Sequence, residues 1–389
     1  MNATRVTDTL TRLVDAVPTE DDFTSTARSR ELTARVGTWL GVCFLVAFLT
    51  GVWSHVAQLP NPLLPLPTRP IWLYRLTQGL HIASGTAAVP LLLVKLWSVF
   101  PQLFRRPPAA TRARLLDGAE RLSIAVLISS ALFQLVTGLA NAAQWYPWSF
   151  SFRSTHFALG WVAMGSLLVH VAVKLPVLRQ AWLGPEDVPD HGEVSRRAIM
   201  RATWAAAGVA VVASATSGVP GVRRLAVLAT RTGSGPGGIP INKSAAAAGV
   251  TTTAADPTFV LTLVWNGTER TLSRADLESM PQTSATLPIA CVEGWSASGT
   301  WSGVPVADLL RLVGAPAGSA VLVESLQRGG ASSRSRLPGN VAADPQAMLA
   351  LMLAGETLSL DHGFPCRIIA PNRPGVLQTK WVSRLEVQS

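Results

Sequence analysis

Four long apolar stretches occupy the first half of the chain: residues 36–54, 77–100, 122–143 and 155–175. Each has the length needed to cross about 30 Å of hydrocarbon as a helix. A backbone in lipid must satisfy its own hydrogen bonds, and a helix does so within one segment. None of the four contains an acidic residue, and Lys95 and Lys174 lie near segment ends, where a long stem carries the ammonium to the interface. Trp72, Trp97, Trp145 and Trp148 also fall near the ends, as interfacial anchors do. Only 14% of the 389 residues are charged, against 48% hydrophobic. A soluble domain carries about a quarter charged residues, so this balance argues against an ordinary cytosolic enzyme. Low-complexity disorder is excluded by the same apolar content.

The formal charge of +10 invites a nucleic-acid reading, and the positions of the charges answer it. Arg105, Arg106, Arg112, Arg114 and Arg121 follow the second stretch, and Arg179, Arg196, Arg197 and Arg201 follow the fourth. The other two loops carry only Arg69, Arg75 and Arg153. The positive-inside rule then puts the N-terminus and both Arg-rich loops in the cytoplasm of a multi-pass protein of a bacterial cell membrane, with no nucleic-acid partner. A fifth, Ala- and Val-rich run at 202–222 follows Ser195-Arg196-Arg197. A twin arginine before a mildly apolar segment reads as a twin-arginine export signal; the plainer reading is a pair of cytoplasmic anchors. Either way the C-terminal half emerges outside.

The expected organisation is a cytoplasmic lead-in (1–35), four membrane helices (36–180), a fifth export or anchor helix (195–222), a linker (223–256) and an extracytoplasmic domain (257–389). In the last, 259–265 and 268–272 read as strands about the Asn266-Gly267 hairpin turn. Residues 273–280 read as a helix capped by Ser273, and 306–313 as another. Residues 320–325, 367–370 and 381–387 read as strands. The fold class is therefore an α-helical transmembrane bundle followed by an α+β domain. We find no internal repeat. Cys43, Cys291 and Cys366 are too few and too scattered for a disulfide framework or a cysteine zinc site.

Four of the six histidines, His55, His81, His156 and His170, lie in or beside the apolar stretches. An ionisable group there is a functional candidate by default. His156 and His170 are fourteen residues apart, nearly four turns, which sets them on one helix face about 21 Å apart. His81 and His156 fall at matching depth near the outer surface. Imidazole suits iron, and paired histidines in a bundle suit a b-type haem; hydrogen-bonding histidines are the alternative. His156-Phe157-Ala158-Leu159-Gly160-Trp161 through Leu168-Val169-His170, with Leu80-His81-Ile82-Ala83-Ser84-Gly85 and Lys95-Leu96-Trp97, resembles the haem helices of the cytochrome b561-like family. The resemblance covers about residues 36–175 and implies His81 and His156 as ligands of an outer haem b. A second haem at His170 asks for a histidine near the cytoplasmic end of the first crossing, which reads Val36-Gly37-Thr38-Trp39.

In the C-terminal domain, Cys291 ends an apolar strand and enters a Gly/Ser turn. Alone, such a residue is an inert thiol or a nucleophile with His362 as base. Cys291-Val292-Glu293-Gly294-Trp295-Ser296, then Trp301-Ser302-Gly303-Val304-Pro305, resembles the sulfite oxidase-like molybdopterin fold. So does Leu360-Asp361-His362-Gly363-Phe364-Pro365-Cys366-Arg367 with Lys380-Trp381-Val382. The resemblance covers about residues 235–389 and implies Cys291 as the protein ligand of molybdenum. The Val-Glu-Gly-Trp-Ser context is similar to the periplasmic methionine-sulfoxide-reductase branch. Glu293 would repel an anion such as sulfite, although Arg334 and Arg336 could still form an anion pocket. Asn242, Lys243, His362, Arg367, Arg373 and Lys380 are the candidate pterin contacts, since a phosphate needs cationic donors and backbone N–H groups. The stretch 233–243 would wrap the pterin.

Together these features describe a membrane-bound molybdopterin oxidoreductase with one haem b, or two if His170 finds a partner. It would draw on the quinone pool or another electron carrier and act on a small molecule such as a sulfoxide, with Cys291 and Glu293 at the catalytic centre. The alternatives are an oxidase of sulfite or another reduced substrate, or a membrane haem protein whose outer domain only binds a partner. A transporter is disfavoured by the lack of paired intramembrane charges.

Overall fold

The computed structural model describes residues 18–23, 25, 27–59, 66–183, 195–219, 221–229, 235–330 and 333–388. The polar lead-in as far as residue 17, and Gly233-Ser234 of the stretch expected to wrap a pterin, lie outside the described residues. Five helices are long and apolar enough to cross a membrane: α1 (Arg30–Ala57), α2 (Leu73–Val99), α3 (Thr111–Ala142), α4 (Phe152–Leu183) and α5 (Arg196–Ala215). Each of the first four extends beyond its apolar stretch, because polar flanks continue the helix once it is nucleated. α1 starts where Ser29 Oγ accepts the Leu32 N–H at 3.1 Å, one of the donors a helix start leaves without an internal partner.

The chain forms two compact units, Met1–Phe48 with Ser84–Leu139 and Trp148–Val211, and Leu49–Ala83 with Ala140–Pro147 and Val212–Ser389. The first is all helical. Leu32, Val36 and Leu91 are buried together, with Ile199 and Met200 packed against them. Trp39 meets Trp204 edge-on at 5.2 Å, and Phe48 meets Trp161 at 4.8 Å. Large apolar side chains such as Leu45, Leu93, Leu168 and Val173 point outward, as lipid-facing positions do. Arg196 of the twin arginine is an ion-pair partner of Glu31, at 2.9 Å.

The second unit joins the far ends of α1, α2 and α3 to the sheet domain. Two helical turns (Ala245–Ala248 and Thr251–Ala254) lead into strands β1 (Val260–Trp265) and β2 (Thr268–Ser273), then α6 (Arg274–Ser279), β3 (Thr283–Ala290), β4 (Ser296–Pro305) and α7 (Val306–Arg311). Then come β5 (Ala320–Ser325), β6 (Arg334–Leu337), β7 (Met348–Leu353), β8 (Glu356–Thr357), β9 (Arg367–Ile369) and β10 (Val382–Gln388). The first sheet has the order β2-β1-β10-β5-β6; β1 and β10 run parallel, with Leu263 opposite Leu385. The second has the order β3-β4-β7-β8, with β9 on β7.

Asn266 and Gly267 both have positive φ, 45° and 78°, which a two-residue hairpin of this hand requires. Ser273 caps α6 and shares a capping box with Asp276. The core includes Leu261, Leu263, Leu309, Val321, Leu349, Ile368 and Leu385, all with no more than 1% exposure. A second cluster centres on Trp301 and Leu287.

Four strands, β4, β6, β7 and β8, were not expected from the sequence, and β3 exceeds the apolar strand expected before Cys291. β4 is Ser- and Gly-rich, with weak intrinsic strand preference, and is held by its neighbours β3 and β7 on either side. β7, Met-Leu-Ala-Leu-Met-Leu, is buried on both faces and shows no alternation to read. β3 is longer than its apolar end suggested, and β6 and β8 are short.

The helices also contain a repeat that the sequence reading did not find. On α1, Thr50 Oγ1 lies 3.3 Å from His81 Nδ1 of α2. On α3, Thr137 Oγ1 lies 3.2 Å from His156 Nδ1 of α4. A glycine follows each threonine and lies under its histidine: a Cβ on Gly51 would sit 3.1 Å from His81 Cε1, and one on Gly138 would sit 3.7 Å from His156 Cε1. Each helix hairpin therefore presents a histidine to a Thr-Gly pair. The apolar background hides this match in the sequence.

Candidate active site

β3 and β4 are antiparallel neighbours, with Ala290 opposite Ser296, so residues 291–295 form the loop of their hairpin. Cys291 opens the loop. Its N–H donates to Trp295 O at 2.9 Å, and its carbonyl accepts the Gly294 N–H at 3.1 Å. Gly294 has φ +89°, a conformation other residues adopt only at a cost. Cys291 is 2% exposed. The Trp295 indole donates to Glu293 Oε2 at 2.9 Å, so Glu293 braces the loop it belongs to.

Beside this loop lies a narrow pocket lined by Ile289, Trp295, Ile239, Pro240, Asn242, His362, Arg367, Gly375 and Lys380. Its wall thus joins four distant segments. Gly375 lets two of them meet, since a Cβ there would lie 2.9 Å from Ala290 O.

His362 is 1% exposed. Its Nε2 lies 3.1 Å from Ile239 O. A carbonyl can only accept, so Nε2 carries the proton. Burial, and then the cationic Arg367 and Lys380, push its pKa down to about 4, so the ring is neutral at pH 7. Arg367 donates from Nη1 to His362 O and from Nη2 to Gln378 O, and its guanidinium carbon lies 5.1 Å from the Trp301 ring centre. Its Nε is buried without a hydrogen-bond partner, a donor a bound group could satisfy. Lys380 Nζ donates to Lys243 O and Asp361 O at 2.9 and 2.7 Å. Trp381 holds it there from a left-handed backbone position, φ 53°, with its own indole donating to Leu360 O.

Asn242, His362, Arg367 and Lys380 thus line one cavity next to Cys291. Lys243 contributes its carbonyl to Lys380. Arg373 stands apart: it donates from Nε to Leu377 O and from Nη2 to Arg336 O, and with Arg336 it lines a different cavity. Arg334 pairs with Glu324 at the surface, at 2.8 Å. Cys366 is fully buried and its thiol is pushed up to about 12 by burial, which suits packing. Trp295, Gln378 and Ser296 went unassigned in the sequence reading; the buried Oγ of Ser296 and Oε1 of Gln378 have no partner. Nothing local marks them, because their place follows from strand pairing.

The Cys291 loop rests on the helix ends within its own unit. Asn141 Nδ2 donates to Val292 O at 2.9 Å. Ile82, next to His81, packs on Gly294, where a Cβ would lie 2.8 Å from Ile82 Cδ1. Tyr74 N–H donates to Asn372 Oδ1 at 2.7 Å, and Asn372 Nδ2 to Pro67 O at 2.6 Å.

In the helices, His81 and His156 each have Nδ1 beside a threonine hydroxyl. Engaging the second ring nitrogen orients an imidazole for metal ligation through the other, so the donor set fits an axial haem ligand in each case. In each case the imidazole itself packs on the glycine.

Residues 249–389 match the family described as the oxidoreductase molybdopterin binding domain. "Putative protein-methionine-sulfoxide reductase subunit YedZ1" of Azospira oryzae is 35% identical over 112 residues, 29% of this chain and 42% of that protein. The sulfite oxidase of Arabidopsis thaliana is 29% identical over 151 residues, 30% of this chain and 38% of that one. The NAD(P)H nitrate reductase of Hordeum vulgare is 40% identical over 96 residues, 22% and 11% of the two chains. The chain spans less than half the length of each of these relatives. Among solved structures, the sulfane dehydrogenase SoxCD from Paracoccus pantotrophus is 25% identical with a TM-score of 0.31, covering 34% of this chain and 38% of that one.

Proposed function

Taking residues 249–389 as a molybdopterin-binding oxidoreductase domain of the sulfite oxidase type, we propose that the chain is a membrane-bound enzyme of oxygen-atom transfer, working as a sulfoxide reductase. Its electrons come from a b-type haem in the helices, refilled from the quinol pool. The observation that carries this reading is Cys291, placed at the head of the β3–β4 loop beside a cavity where donors from four distant segments converge.

When bound, the molybdenum cofactor supplies two-electron oxygen-atom exchange with substrate and one-electron exchange with a haem. The chain's own groups do the rest. The Cys291 thiolate is the soft ligand that would hold the metal. Lys380, Arg367 and Asn242 would bind the phosphate and the pterin edge. Neutral His362 donates to Ile239 O and pins the 239–242 segment over the cavity. Glu293 fixes Trp295 and places a carboxylate near Cys291, which favours a neutral sulfoxide over an anion such as sulfite. The similarity to the putative protein-methionine-sulfoxide reductase subunit YedZ1 supports the same substrate class.

For the haem we propose His81 and His156 as ligands, on the matching depth of their sequence positions and the threonine beside each ring. The Arg196-Arg197 pair supports export of a prefolded domain to the outer face of a bacterial cell membrane, with the N-terminus inside. The test is turnover by the full chain, purified from a host that makes the pterin cofactor, with dithionite-reduced dye as donor and a methyl sulfoxide as acceptor. Sulfide should form, and Cys291→Ser should abolish it. Full turnover by Cys291→Ser would overturn the reading.

A further inference from the structure

Asn141 belongs to an apolar helix, yet it reaches the loop that carries Cys291. It is the penultimate residue of α3 and is 6% exposed. A buried amide in a membrane helix ordinarily bonds to a neighbouring helix. This one leaves the helices instead. Its Nδ2 donates to Val292 O at 2.9 Å, and its Oδ1 accepts the Tyr146 hydroxyl at 3.0 Å. Both ends of the amide are engaged, so the nitrogen faces the loop. The end of α3 supplies this arrangement by turning back on itself. Gln144 adopts φ 54°, and the N–H groups of Gln144 and Trp145 donate to Asn141 O and Ala140 O at 3.1 and 2.9 Å, which brings Tyr146 beside Asn141.

Within the loop, the Cys291 N–H and carbonyl are taken by Trp295 O and the Gly294 N–H, and the Glu293 carboxylate by the Trp295 indole. These bonds close the loop on itself. Val292 O is held from outside it, by Asn141. A peptide unit is planar, so an anchored oxygen sets the whole Val292–Glu293 plane. In the chain that plane lies between the Cys291 thiol and the Glu293 carboxylate, and its orientation governs both. Two other contacts seat the same hairpin. Ile82 meets Gly294 through carbon atoms, and Arg75 Nη1 donates to Ser298 Oγ at 3.2 Å, on β4 beyond the loop.

We propose that Asn141 is a positioning residue of the catalytic centre: through its amide, the C-terminal end of α3 orients the loop that presents Cys291 to the metal. The proposal rests on the reading of Cys291 as the molybdenum ligand. The donor that orients the ligand loop then comes from a membrane helix, outside the molybdopterin-binding segment 249–389. Groups that orient a ligand tune the metal it holds. Tyr146 acts one step further back, by keeping the amide nitrogen turned toward Val292.

The test uses the full chain from a cofactor-competent host, partly reduced, and reads the molybdenum(V) EPR g-values and the molybdenum midpoint potential beside metal content. Asn141→Leu keeps the approximate shape and removes the donor. Tyr146→Phe removes one hydroxyl from a half-exposed ring, so it decides the matter if Asn141→Leu fails to fold. Asn141→Leu should shift both g-values and potential, and Tyr146→Phe should shift them less and in the same direction. Arg75→Ala should leave both as in the wild type. Wild-type g-values and potential in the metal-loaded fraction of Asn141→Leu and Tyr146→Phe, whatever the metal content, overturn the proposal and leave Cys291 as the ligand. A shift in Arg75→Ala as large as that in Asn141→Leu assigns the effect to seating of the hairpin and also overturns it. Molybdenum in Cys291→Ser with the wild-type signal overturns the ligand reading itself.

Discussion

Gly294→Ala probes the contact between the Cys291 loop and the helix ends. Two costs follow from the structure. The backbone at φ +89° costs a non-glycine residue roughly 1–2 kcal/mol. The new methyl would also meet Ile82 Cδ1 at 2.8 Å and Cγ1 at 3.0 Å. Ile82 can yield by leaving its rotamer well, for about 0.5–1.5 kcal/mol. The sum is about 1.5–3.5 kcal/mol, equivalent at roughly 2–4 °C per kcal/mol to a fall of about 3–14 °C in apparent Tm. The assay is thermal unfolding in detergent, with molybdenum content measured in parallel because the strained loop carries Cys291. Adding Ile82→Ala should recover only the contact share and leave the backbone share. Gly294→Ala with wild-type Tm and metal content, or complete rescue by Ile82→Ala, would refute the reasoning.

Three further predictions concern the cavity and the core. The pKa of His362 is depressed to about 4 from 6.5, so its neutral form stabilises the fold above pH 6.5 and that stability is lost as pH falls toward 4. Full loss amounts to about 3 kcal/mol. His362→Gln should therefore flatten the stability-against-pH curve between pH 6.5 and 4, and an unchanged slope would assign it to another group. Trp301 has no exposed surface, so Trp301→Ala should cost about 3–5 kcal/mol in denaturant unfolding and Trp301→Phe clearly less; equal losses would contradict the packing. Cys366 has no exposed surface and a raised pKa, so mass spectrometry after maleimide treatment should find it unlabelled in the folded protein and labelled in denaturant. Rapid native labelling would mean that β9 opens.

The five helices were legible because length and apolarity alone decide a membrane span. Asn266-Gly267, Ser273 and the 320–325 strand were legible because each signal is local. β4 and β7 were not, since one is held by neighbours despite poor propensity and the other is buried on both faces. At the site, Cys291 and the His362–Arg367 and Lys380-Trp381 motifs were visible as residues, but the cavity that gathers them was not. Arg373 shows the limit from the other side. As a sequence symbol it is one more cation near the end of the chain, yet its guanidinium is taken by the carbonyls of Leu377 and Arg336. The hairpin repeat was hidden because two threonines, two glycines and two histidines carry it among interchangeable apolar residues.

The most direct test of the central claim is X-ray absorption at the molybdenum edge, on the full chain and on Cys291→Ser. If Cys291 holds the metal, the wild type should contain molybdenum and the variant should show one sulfur fewer in its coordination shell. An identical sulfur count in the two proteins, or no molybdenum in a chain made by a cofactor-competent host, would contradict the account.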